Sequence, residues 1–218
     1  MLFILAMKNI KLIIFDLDGT LVDAYPAIIS SFNYTMHRLG YPKQSKLSIR
    51  RAVGWGDENL LKVFIRQKDL SAALSIYRQH HEASLIRQSR LFPYVSKVLT
   101  YLKDKGYKLA VASNRPSRFS QILIRHLKIK RYFSYVLCAD KLRRGKPHPE
   151  IINKIVKKLV LKPQEVFYVG DMVIDALAGK AAGVRTIIVT TGSSSKEEVK
   201  KTKPYRIIRR ISGLLHIL

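Results

Sequence analysis

The sequence predicts an α/β fold: a Rossmann-like parallel sheet core with helices on both faces, plus a small all-helical cap domain inserted after strand 1. Three observations predict it. Short apolar runs alternate with segments of helical period, the pattern of a parallel sheet covered on both sides. The residues that end those runs include Asp16, Ser113 and Asp171, polar groups at the strand ends where such sheets bind ligands. From about Ala24 to Arg90 the alternation stops, leaving helical stripes and no convincing strand.

The first strand is read in KLIIFD, Lys11 to Asp16, a buried run that stops in an acid. In the insertion, Ile28, Ile29, Phe32, Met36 and Leu39 form one helical stripe that ends at Gly40. DENLLKVFIRQ and SAALSIYRQHHEASLIR give two more helices. Alternation then resumes. PYVSKVLTYLKDKG places Val95, Val98, Leu99 and Leu102 on one face, with Gly106 as the stop. Strands follow at Lys108 to Ser113, Tyr135 to Ala139, Val166 to Gly170 and Arg185 to Thr190, each too short for a helix. SRFSQILIRHL and PEIINKIVKKLV are helices between them, the second with Pro149 at its start. Thr191 to Pro204 reads as a polar surface stretch ahead of an edge strand at Ile207-Ile208. The expected division is residues 1–22 and 91–218 for the core and 23–90 for the cap, which would stand over the carboxyl end of the first strand as a lid.

Composition bounds the function. The chain has 218 residues, 47% of them hydrophobic, enough for one good-sized core, or a core plus a small accessory domain. Mean hydropathy is −0.02, and no apolar run reaches the roughly 18 residues of a membrane span. MLFILAMKNI lacks a basic residue ahead of its apolar run and a small-residue cleavage site, so it reads poorly as a signal peptide. Translation from Met7 rather than Met1 is the plainer start, since MKNIKLIIFDLDGT leads straight into the first strand. The single cysteine, Cys138, excludes an internal disulfide, reads as a buried strand residue and fits a cytoplasmic setting. Forty Lys and Arg against fifteen Asp and Glu give a net charge of +25. That balance raises an anionic partner, but the basic residues are spread from Lys8 to Arg210 with no dense tail. Nucleic acid is therefore the lesser reading and a small phosphorylated metabolite the favoured partner. Five of the fifteen acids, Asp16, Asp18, Asp23, Asp171 and Asp175, fall in the motifs below.

Those motifs converge on one chemistry. In FDLDGT, Asp16 and Asp18 leave the strand end on the same side, because alternate residues share a face. Gly19 lets the chain turn and Thr20 can hydrogen-bond the turn. VASNR places Ser113 after the next core strand; RRGKPHPE sets Lys146 in a proline-stiffened loop; GDMVID supplies Asp171 and, four residues on, Asp175. Carboxylate oxygens hold Mg²⁺. Metal and lysine neutralise a phosphoryl group, the hydroxyl donates to it, and an aspartate attacks phosphorus.

These four elements resemble the haloacid dehalogenase superfamily of phosphatases, over nearly the whole chain. Within it, FDLDGTLVDAYPAI, GYKLAVASN, GKPHPEI and GDMVIDALAGKAAG look most like the phosphoglycolate phosphatase-like branch. The resemblance implies that Asp16 is the nucleophile, forming an aspartyl-phosphate, and that Asp18 is general acid and then base. It implies Mg²⁺ on Asp16, the Asp18 backbone carbonyl and Asp171, and phosphoryl oxygens bound by Ser113 and the Asn114 N–H. It also implies Lys146 as charge partner to phosphate and Asp16, and Asp175 behind them, orienting Lys146 or a metal-bound water. Relatives that cleave carbon–halogen or phosphonate bonds lack an acid two residues after the nucleophile, so Asp18 favours phosphate esters. Met172 departs from the small hydroxyl residue usual at that position.

Some residues keep two readings. Asp23 is a third site carboxylate or the start of the first cap helix. Arg115 contacts substrate anions or is a surface arginine at a helix start. His80-His81 reads as surface polarity rather than metal ligation, since adjacent histidines point to different helix faces. In SIRRAVGWGDENL, the glycine-flanked aromatic loop at Trp55 contacts the non-phosphate half of the substrate, with Arg50 or Arg51 available for a carboxylate, or it is a hinge with a packed tryptophan. The expected function is a Mg²⁺-dependent phosphatase for a small phosphate monoester, a monomer or homodimer. The rivals are a sugar phosphomutase of the same fold and a non-enzymatic nucleic-acid-binding protein.

Overall fold

Four-residue apolar runs such as Leu12–Phe15 have no polar face to give to water, so they are stable only where both faces are covered. A computed structural model describes residues 10–218; the choice between Met1 and Met7 lies outside the described residues. The strands in chain order are β1 (Leu12–Phe15), β2 (Val22–Asp23), β3 (Arg90–Leu91), β4 (Lys108–Ser113), β5 (Tyr135–Cys138), β6 (Val166–Gly170), β7 (Arg185–Val189) and β8 (Arg206–Ile208). Six of them form one parallel sheet in the order β5-β4-β1-β6-β7-β8. The expected edge strand is present as β8.

Among the described residues the α-helices are α1 (Tyr25–Arg38), α2 (Lys46–Ala52), α3 (Asp57–Lys62), α4 (Leu70–Gln88), α5 (Val95–Asp104), α6 (Ser117–His126), α7 (Glu150–Lys158), α8 (Val173–Ala181) and α9 (Lys196–Lys201). The period-two rule divides the core cleanly. Ile13, Phe15, Leu109, Val111, Phe167 and Val169 pack on one face with Val98, Leu102 and Leu123 of α5 and α6. Leu12, Ile14, Ala110, Ala112, Val166 and Tyr168 pack on the other with Ile151, Ile155 and Ala178 of α7 and α8.

After β1 the chain builds β4 and β5 on one side of it and then β6 to β8 on the other. Connections diverging in this way open a crevice at the carboxyl ends of β1 and its neighbours. Residues 24–89 are helical apart from their loops. The two crossings into and out of this segment lie side by side, because β2 pairs antiparallel with β3, Val22 opposite Leu91 and Asp23 opposite Arg90. Within it, α1 packs mainly on α4, burying Phe32 and Met36 with Ala73 and Tyr77.

Three local differences from the sequence reading have physical causes. The helix expected over DENLLKVFIRQ stops at Lys62, where β-branched Val63 and Ile65 follow and propensity falls. Helix α2 had no apolar stripe to announce it, with Ile49 its one buried residue; Ser45 caps it by accepting the Ser48 N–H at 3.0 Å. Helix α9 lies inside the expected polar stretch. A capping box starts it, with the Glu198 N–H on Ser195 Oγ (3.2 Å) and the Ser195 N–H on Glu198 Oε2 (2.6 Å). Among the described residues, no helix is long and apolar enough to cross a membrane.

Helix α8 approaches β7 closely at Gly179, where an added Cβ would overlap Thr186 Oγ1. Gly→Ala inside an exposed helix gains about 1 kcal/mol. Here Gly179→Ala is expected to destabilise by about 1–3 kcal/mol, the cost of overpacking, as a lower urea midpoint with unchanged slope.

Candidate active site

The carboxyl ends of β1, β4 and β6 deliver the acids and the hydroxyl to one place. Asp16 follows β1 directly and its N–H bonds the Val169 carbonyl at 2.8 Å. Gly19, at φ 81°, turns the chain back so that Asp18 bridges to Val22. Asp171 follows β6, and Asp175 sits in the first turn of α8. One carboxylate oxygen from each of Asp16, Asp171 and Asp175 lies within 4.8 Å of the others.

Lys146 enters this acidic cluster from the loop before α7. Its Nζ lies 2.9 Å from Asp16 Oδ1 and 2.7 Å from Asp175 Oδ1, and it donates to Tyr168 Oη at 2.9 Å. The Asn114 side chain braces the lysine's backbone from both sides. Its Oδ1 accepts the Lys146 N–H (2.8 Å), and its Nδ2 donates to the Lys146 carbonyl (3.0 Å) and to Gly54 of the helical segment (2.9 Å).

The acids differ in how fully they are satisfied. Asp175 accepts from Lys146 and Tyr168 on Oδ1 and from the N–H groups of Asp171 and Met172 on Oδ2. Among the described residues Asp171 accepts from Thr20 Oγ1, at 2.8 Å on Oδ1, and its buried Oδ2 has no hydrogen-bond partner. That oxygen lies in a notch between Gly19 and Gly192, where any Cβ would collide with it. Burial, with Asp175 and Asp16 nearby, pushes the Asp171 carboxyl well above the usual range. Burial likewise pushes Asp16 up to about 7, against the pull of Lys146. On Lys146, burial pulls downward, but the charges of Asp16 and Asp175 outweigh it and the net shift is upward. An all-oxygen donor set with an orphaned, like-charged carboxylate oxygen fits a hard divalent cation. Asp16 and Asp171 have the oxygens for it; Asp175 does not.

Asp16, Asp18, Ser113, Asn114, Lys146 and Met172 line a cavity of about 60 Å³. Ser113 is buried, its Oγ accepting the Arg115 N–H at 3.1 Å. Met172 packs against the loop of the helical segment, where a Cβ at Gly54 would stand 2.6 Å from its sulfur. Gly54 and Gly56 line the cavity, but Trp55 does not; it is 47% exposed and lines an outer groove with Pro147 and His148.

Arg50 and Arg51 are not among the cavity's lining residues. Arg50 stacks on Tyr25 and donates to the carbonyls of Thr191 (2.8 Å) and Gly192 (3.0 Å). Arg51 donates to the Ser193 carbonyl and pairs with Glu198. Both tie the helical segment to the loop after β7. Asp23 also lies outside the cavity, its Oδ1 accepting the Tyr25 N–H at 3.3 Å at the start of α1, the helix-start reading.

Two readings need correction. Arg115 is no surface arginine: its side chain is 6% exposed, lines the cavity and pairs with Asp18 at 2.7 Å. His81 is not surface polarity either. It is buried, lies 2.7 Å from Arg115 Nη1, stacks on Tyr77 and meets Phe119 edge-on. Burial, reinforced by Arg115, pushes its pKa down to about 2. His80 stacks on Tyr34. The signal was in the chain: Ala73, Tyr77, His81 and Ser84 follow the helical period of the buried face of α4.

The family model for haloacid dehalogenase-like hydrolases matches residues 13–189. The chain belongs to that family. It is similar to the phosphoglycolate phosphatases of Vibrio parahaemolyticus (31% identical, covering 98% of each chain) and Vibrio cholerae (32%, covering 97% of this chain and 98% of that one). Among solved structures, it is similar to a predicted phosphoglycolate phosphatase from Haemophilus somnus, with TM-score 0.90, 29% identity and coverage of 96% and 98%. The chain is accordingly a phosphoric monoester hydrolase of this family.

The raised carboxyls carry a pH signature. An acid whose pKa is higher in the folded state holds its proton better folded than unfolded. The Asp16 contribution is therefore complete below the ordinary aspartate value of 3.8 and is lost as pH rises through about 7. In chelator-containing buffer, urea unfolding from pH 4 to 8 is expected to show this decline, and Asp16→Asn is expected to remove that part of the slope.

Proposed function

We propose that the protein is a Mg²⁺-dependent phosphatase that hydrolyses a small phosphate monoester through an aspartyl-phosphate on Asp16. The observation that carries this reading is the pairing of two acids with separate cations in one small cavity: Asp16 with Lys146, and Asp18 with Arg115. Mg²⁺ would be held by Asp16, Asp171 and the Asp18 carbonyl, and when bound it supplies charge neutralisation for a phosphoryl group. In the proposed course Asp16 attacks phosphorus as the ester P–O bond breaks. Asp18 gives its proton to the departing oxygen, then takes one from the water that cleaves the aspartyl-phosphate. Lys146 offsets the charge of Asp16 and the phosphoryl group. The Ser113 hydroxyl and the Asn114 N–H receive phosphoryl oxygens, and Asp175 holds the lysine in place.

The helical segment, read as a cap, would close the cavity and select the alcohol half of the ester. Ile28, Val53 and Leu60 line it from that side, which supports a short leaving group. The names of the relatives support a phosphoglycolate-sized ester. We place the protein in the cytoplasm, with a small metabolite rather than nucleic acid as its partner.

With p-nitrophenyl phosphate, turnover is expected with Mg²⁺ and not with EDTA, and Asp16→Asn is expected to lower kcat by at least about 10⁴-fold. Background turnover by the parent protein would overturn the proposal. In a panel of phosphorylated metabolites phosphoglycolate is expected to give the highest kcat/KM. Return of the phosphoryl group to a sugar as an isomeric sugar phosphate would instead identify a mutase.

A further inference from the structure

We propose that Arg115 is the positioning residue of the acid–base step, fixing which oxygen of Asp18 faces the substrate, and that His81 of the helical segment holds Arg115 in place. The proposal rests on the phosphatase reading.

The guanidinium is a rigid fork of donors. Its Nε donates to Asp18 Oδ2 at 2.7 Å, and its Nη1 donates to His81 Nε2 at 2.7 Å. Asp18 Oδ2 is therefore occupied, while Oδ1, buried and without a hydrogen-bond partner, remains for proton transfer. With one oxygen pinned, the carboxylate no longer rotates freely about its last bond. Selecting one oxygen matters because a proton passes only over hydrogen-bond distance.

The other end of the fork is equally constrained. A guanidinium has no acceptor, so His81 Nε2 must offer its lone pair and the ring proton must sit on Nδ1. Nδ1 lies 3.0 Å from Ser31 Oγ on α1, which can accept that proton. Tyr77 and Phe119 fix the plane of the ring. The chain of contacts thus runs from the turn after β1, through the loop after β4, into α4 and α1. Asp18 takes its orientation partly from the helical segment. A lysine at 115 would keep the charge but reach only one of the two partners.

The test compares Arg115→Lys, His81→Gln and His81→Phe with the parent by rapid mixing, using p-nitrophenyl phosphate and phosphoglycolate. Expulsion of p-nitrophenolate needs no proton, whereas expulsion of an alkoxide and hydrolysis of the aspartyl-phosphate both need Asp18. For Arg115→Lys the expected result is a kcat lowered about 10²-fold with KM within about threefold. A burst of p-nitrophenolate is expected with the aryl ester and no burst with phosphoglycolate. His81→Gln keeps an acceptor and is expected to lose less than His81→Phe. In an Asp18→Asn background, Arg115→Lys is expected to add no further loss, because both changes act through one group. Thermal unfolding of each variant separates misfolding from mispositioning, and the Gln–Phe comparison at 81 keeps the test open if Arg115→Lys unfolds. Full activity of Arg115→Lys, a loss confined to KM, or an additive loss in the Asp18→Asn background would overturn the proposal. A parent at background rate would instead overturn the phosphatase reading, and this inference with it.

Discussion

One buried ammonium shared between two buried carboxylates governs the site. Lys146 lies between Asp16 and Asp175, its side chain 1% exposed. Removing a single partner from such a cluster costs about 3–5 kcal/mol, because the remaining charge stays buried and unpaired. The surroundings are arranged accordingly. Tyr168 projects from the centre of the sheet to share the Asp175 oxygen, two backbone N–H groups take its other oxygen, and Asn114 clamps the lysine's backbone. The loops after β1, β4 and β6 and the loop before α7 are thereby drawn to one point.

The carboxylates then divide by what is left for each. Asp175 has every lone-pair direction engaged and serves as scaffold. Asp171 has one buried oxygen without a hydrogen-bond partner, set in a glycine-walled notch. Asp16 and Asp18 separate by partner, one against an ammonium point charge and the other against a guanidinium fork. The sequence motif places the two acids two residues apart; their different partners support the different roles proposed for them.

Much of this was legible in the chain because sheet strands buried on both faces must be apolar throughout. KLAVAS and VFYVG coincide with β4 and β6 to the residue. The acids at strand ends were legible because a carboxylate there has few other uses. Less legible was anything set by contact between distant segments. Arg50 and Arg51 carry no local sign that the carbonyls after β7 engage them. Arg115 and His81 stand 34 residues apart, and only the packing of α4 on the sheet domain brings them together. Adjacent histidines do diverge on a helix, but divergence leaves one of the two, His81, facing inward with Tyr77.

The central claim is that Asp16 carries the phosphoryl group. Rapid quenching after mixing with Mg²⁺ and substrate, followed by proteolysis and mass spectrometry, tests it most directly. The account predicts one phosphoryl group on the peptide containing Asp16, formed within the first turnover and absent from Asp16→Asn. A phosphoryl group on another residue, or an unmodified Asp16 peptide during active turnover, would contradict it.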